Sequence, residues 1–131
     1  MSRYLLDSHV VLWALTAPRQ LSRRTRDILA HEDVFVSVLT IWELMLKSER
    51  KRLPLPGHTT LARAIEDAGG RLLPLALVHV EEAAAIGLAQ HDPIDRLLVG
   101  TARAERMVLV TRDAKILESA AGALGALLLE A

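Results

Sequence analysis

There is no cysteine in the 131 residues of this chain. That excludes disulfide scaffolds, thiolate metal sites and cysteine nucleophiles. Aromatic residues are scarce, at 3%. Net charge is absent too, because Lys plus Arg and Asp plus Glu number 16 each. Bulk charge therefore names no partner, and a nucleic-acid site has to be a local patch rather than a global field. No apolar run reaches the roughly 20 residues that span a bilayer. The opening MSRYLLDSHV meets an aspartate too early for a signal peptide. The expectation is a cytoplasmic protein with no membrane association. What the chain does have is aliphatic bulk. It is 51% hydrophobic, mostly Leu, Ala and Val, ample for a packed core and contrary to disorder. Its length suits one domain over residues 1–131.

Apolar strand-like runs alternate with helical patterns. RYLL (Arg3 to Leu6), VFVSV (Val34 to Val38), RLLPL (Arg71 to Leu75) and MVLVT (Met107 to Thr111) read as strands, the third shortened by Pro74. Between them lie helical stretches, one capped by Ser22 and one by Ser37. LPLPG (Leu53 to Gly57) breaks the helix that begins after Ser37. RDAKILESAA reads as a last helix, and GALGALLLEA is a weak fifth strand because of its glycines. This alternation predicts an α/β fold, with helices on both sides of a parallel sheet of four or five strands.

In such sheets ligands bind beyond the carboxyl ends of the strands. Asp7 follows the first strand and Asp113 the fourth. Glu43 falls in the second turn of the helix after strand two, and Asp95 in the first turn of the helix before strand four. Topology brings these acids to one edge. Two like charges about 4 Å apart repel by roughly 4 kcal/mol at an effective dielectric of about 20. Converging carboxylates therefore need protons or a divalent cation. Oxygen ligands alone suit Mg²⁺ or Mn²⁺, and Mg²⁺ favours carboxylates plus substrate phosphates. The chemistry indicated is phosphodiester hydrolysis, with a metal-activated water as nucleophile and no covalent intermediate.

Four stretches in order, YLLDSHVVLWAL, VFVSVLTIWELMLK, HDPIDRLLVGTA and VLVTRDAKI, resemble the PIN-domain family, in particular the VapC-like toxins of bacterial toxin–antitoxin pairs. The resemblance implies a three-layer α/β/α fold and a metal-dependent endoribonuclease. It places the family's acids on Asp7, Glu43, Asp95 and Asp113, as metal ligands and catalytic groups. Supporting hydroxyls fall on Ser8, Ser37 and Thr111. It implies Mg²⁺ or Mn²⁺, an RNA substrate, a homodimer and an antitoxin partner. ERKRL and GALGALLLEA depart from the family pattern, which bears on loops and partner contacts but not on the acids.

Blander roles compete for each residue. Glu43 and Lys47 are spaced for a surface i,i+4 ion pair. Asp113 suits a helix N-cap, and so does Ser37. Asp92 precedes Pro93, which favours the first helical position, so Asp92 is assigned to the cap and Asp95 to the metal. The histidines, His9, His31, His58, His79 and His91, show no zinc-like pairing. Arg96 and Arg112, each beside an acid, are candidate RNA contacts. A catalytically silent partner-binding domain is the alternative; it need not bind Mn²⁺. An aspartyl-phosphate phosphatase would need an acid two residues after Asp7, where His9 stands.

Overall fold

Parallel strands cannot be joined by tight turns, so each pair here is bridged by helix. The structure, a computed structural model, describes residues 2–51, 58–87 and 92–131. Strands β1 (Arg3–Leu6), β2 (Asp33–Ser37), β3 (Arg71–Leu73), β4 (Val108–Thr111) and β5 (Leu128–Glu130) form one sheet in the order β3-β2-β1-β4-β5. Every neighbouring pair is parallel. The helices are α1 (Ser8–Thr16), α2 (Arg23–His31), α3 (Val38–Lys51), α4 (His58–Asp67), α5 (Leu77–Ile86), α6 (Pro93–Glu105), α7 (Ala114–Ser119) and α8 (Ala121–Leu124). None of the described helices is long and apolar enough to cross a membrane.

Neighbouring residues on a strand point to opposite faces, and both faces here are covered. Leu6, Val34, Val36 and Val110 pack with Val10 and Val11 of α1, Ile28 of α2, Leu44 of α3, and Leu61 and Ile65 of α4. Leu5 and Leu109 face the other way, onto Leu98, Val99 and Ala102 of α6 and Ile116 of α7. This is the three-layer α/β/α arrangement, and it explains why the strands are apolar throughout rather than alternating.

The expected elements are present, with local differences. β3 stops at Leu73, because Pro74 has no N–H for the ladder. The expected last helix is α7, and a second short helix, α8, follows Ala120 into the stretch read as a weak strand. The weakly indicated fifth strand does form: Gly125, at φ +54°, turns the chain before it, and Leu128 then pairs with Leu109. The helix break at residues 53–57 lies outside the described residues. Ser22 caps α2 as expected, accepting from Thr25 N. Gly100 admits a close approach of α5 to α6, since a Cβ there would lie 2.6 Å from Ala83 N.

Candidate metal centre

The strand order reverses at β1: the chain goes to β2 on one side and later returns to β4 on the other. The crevice at such a reversal is where open α/β sheets bind ligands. Asp7 sits at its base, 3% exposed. Its backbone N–H continues the ladder to Val110 O at 3.0 Å. Its carboxylate is held from two sides. Ser8 N donates to Oδ1 at 2.6 Å, and the buried Thr111 hydroxyl donates to Oδ2 at 2.7 Å. Thr111 Oγ1 also accepts from Asp113 N at 3.0 Å. One hydroxyl thus fixes both the acid after β1 and the loop that carries the acid after β4.

Around Asp7 an open cavity of about 220 Å³ is lined by Ser8, Glu43, Asp95 and Asp113, and also by His9, Lys47 and Asp92. The side chains arrive from several elements because helices that follow or precede parallel strands meet at the strands' carboxyl edge. Glu43 comes down from α3, whose start is capped by Ser37 Oγ accepting from Leu39 N at 3.1 Å. Asp95 and Asp92 come from the start of α6. Asp92 Oδ1 accepts from Ile94 N at 2.8 Å and Asp95 N at 3.4 Å. Asp113 caps α7, accepting from Lys115 N and Ile116 N. All four acids expected from the sequence therefore line one cavity, and a further carboxylate joins them.

That further residue is Asp92. One carboxylate oxygen each of Glu43, Asp92 and Asp95 lies within 4.8 Å of the others. The sequence did carry a signal, in the short Asp-Pro-x-Asp spacing, but capping alone accounts for an acid before proline. Burial pushes the Asp95 carboxyl from 3.8 up to about 7, and the like charges of Asp7, Glu43, Asp92 and Asp113 add to the rise. Glu43 Oε1 is fully enclosed and has no hydrogen-bond partner among the described residues. A buried carboxylate oxygen left without a donor is costly. A divalent cation is the partner that such an all-oxygen, like-charged set fits.

The remaining candidates stand elsewhere. Ser37, Arg96 and Arg112 are not among the described residues lining the cavity. Arg112 donates to Ala131 O at 3.3 Å and lies 5.0 Å from the centre of the Trp13 ring. Arg96 Nε is enclosed with no described partner. Lys47 forms no ion pair with Glu43 among the described residues; its Nζ approaches Ser8 Oγ at 3.5 Å and faces the acids. Among the histidines, His79 is a core residue. Its Nδ1 accepts from Ala76 N at 3.0 Å, so Nε2–H donates to Glu105 Oε2 at 2.8 Å. His9 lines the cavity and packs 5.9 Å from Trp13. His91 lies outside the described residues.

Comparison with known proteins identifies the family and the fold. The profile of the PIN domain family matches residues 4–122. Ribonuclease VapC22 of Mycobacterium tuberculosis is 30% identical over 122 residues, covering 88% of this chain and 91% of that protein. The crystal structure of VapBC2 from Rickettsia felis, bound to a DNA fragment from its promoter, superposes with a TM-score of 0.69 at 15% identity, covering 98% and 96% of the two chains. DNA-bound VapBC from Salmonella typhimurium also scores 0.69, at 16% identity, over 100% of this chain and 98% of that one.

Proposed function

The chain belongs to the PIN-domain family, and we propose that it is a Mg²⁺- or Mn²⁺-dependent endoribonuclease, the toxin of a toxin–antitoxin pair acting in the cytoplasm. The observation that carries this reading is the enclosed Glu43 oxygen, without a partner among the described residues, amid converging carboxylates. Asp7, Glu43 and Asp95 would hold the cation, and Asp113 would complete the site. When bound, a divalent cation polarises a phosphodiester and acidifies a water for in-line attack. The chain's own residues prepare for that. Ser8 N and Thr111 Oγ1 orient the Asp7 carboxylate. Asp95 keeps a proton up to about pH 7, and loading the site must release it. Lys47 is a cation at the cavity wall, suited to the charge of an RNA phosphate.

The antitoxin partner is proposed from the VapBC complexes that share the fold. A homodimer is supported by apolar side chains left in water, Trp42 at 58% and Leu77 at 72% exposure. The decisive test is RNA cleavage with added Mg²⁺ or Mn²⁺, comparing wild type with Asp7→Asn. The amide keeps the acceptor for Ser8 N, so the fold should survive, and cleavage should be abolished. Full activity in the variant, or of wild type in chelator, would sink the mechanism. Mapping the cut ends by sequencing would identify the RNA.

A further inference from the structure

We infer that Asp92 is a metal ligand as well as a helix cap: one carboxylate oxygen closes the first turn of α6 while the other joins Glu43 and Asp95 around one divalent cation. The inference rests on the metal-dependent reading above and adds a residue to it. A cap alone does not require Asp92 to face the other acids. Asp92 Oδ1 receives Ile94 N and Asp95 N. Among the described residues no donor reaches Oδ2, which leaves that oxygen for a cation. Two oxygens on opposite sides of Mg²⁺ stand about 4.2 Å apart, twice the bond length. The 4.8 Å bound on the Glu43, Asp92 and Asp95 oxygens is close to that span. The same trio contains the enclosed Glu43 Oε1, which has no described partner.

Asp7 is differently placed. It stands outside this trio, and its Oδ2, which accepts from Thr111, keeps a second lone pair for a cation. Asp92 is exposed. It can meet a hydrated ion before the less exposed acids do.

Asp92→Asn separates the two roles. Asparagine caps as well as aspartate. With its oxygen engaged by Ile94 N, its NH₂ would point where the free carboxylate oxygen was. The metal-free melting temperature should therefore not fall, since the cap is kept and a like charge beside Asp95 is removed, while Mn²⁺ affinity, measured by calorimetry on the full chain at about pH 8, should fall. The expected loss is at least the roughly tenfold to hundredfold that removal of a ligand's supporting partner costs. It should persist in about 1 M salt, where the screening length is about 3 Å and a remote charge no longer acts. Asp92→Ser, a cap too short to reach the trio, should lose affinity equally. Undiminished Mn²⁺ binding by Asp92→Asn, or a deficit that vanishes in high salt, overturns the inference alone. Wild type that binds no Mn²⁺ and cleaves RNA in chelator overturns the metal-dependent reading with it.

Discussion

Asp95 shows how one residue answers to two sets of forces. It occupies the third position of α6, where the helix N-terminus favours a carboxylate and would lower its pKa. Its pKa instead stands at about 7, so burial and the neighbouring acids outweigh the helix. The folded state holds this proton more tightly than the unfolded chain, whose Asp titrates near 3.8. The associated stability is complete below the unfolded value and is lost as pH rises through about 7. In chelator, wild type and Asp95→Asn should melt together near about pH 4 and separate by about pH 8, the variant melting higher. Cleavage by the variant should be abolished at both. A wild type more stable than Asp95→Asn at the higher pH would show that repulsion does not dominate there.

At the scale of elements, α6 is where site and core are joined. Its first turn carries Asp92 and Asp95, and its middle carries Leu98, Val99 and Ala102 in the core. Gly100 sets its distance from α5. Replacing glycine by alanine in an open helix stabilises by about 1 kcal/mol. Here the added methyl would stand 2.6 Å from the backbone nitrogen of Ala83, which cannot swing aside. Overpacking of this kind costs about 1–3 kcal/mol, so the sign reverses. Gly100→Ala should lower the melting temperature, as calorimetry or circular dichroism would show; an unchanged or higher value would mean the two helices part without cost.

For the whole molecule, the acidic cavity is a seam where several elements far apart in the chain meet. Asp7 follows β1, Glu43 is on α3, Asp95 on α6, and Asp113 caps α7. A ligand that binds only the assembled seam stabilises the whole fold by linkage. At a hundredfold excess over Kd the gain is about 2.7 kcal/mol, or roughly 8–11 °C for a domain of this length. Mn²⁺ should raise the melting temperature of wild type by that order, chelator should reverse it, and Asp7→Asn should show a much smaller rise. No shift in wild type at saturating Mn²⁺ would argue for a partner-binding domain without metal.

Local physics was enough to read much of this from the residues. Strand positions followed from short apolar runs, the first ended by Asp7 and the fourth closing on Thr111. The caps at Ser22, Ser37 and Asp113 are satisfied within their own helices, so sequence neighbours alone determine them. Parallel topology then put Asp7, Glu43, Asp95 and Asp113 at one edge. What only the tertiary structure decided depends on distance between elements far apart in the chain. The Thr111 hydroxyl links Asp7 to the Asp113 loop, Gly100 fits against Ala83, and Lys47 turns toward Ser8 rather than pairing with Glu43. Asp92 is the sharpest case. Its capping oxygen was legible because the partners lie two and three residues on. Its place beside Glu43 was not, because that proximity arises only when α3 and α6 pack at the carboxyl edge of the sheet.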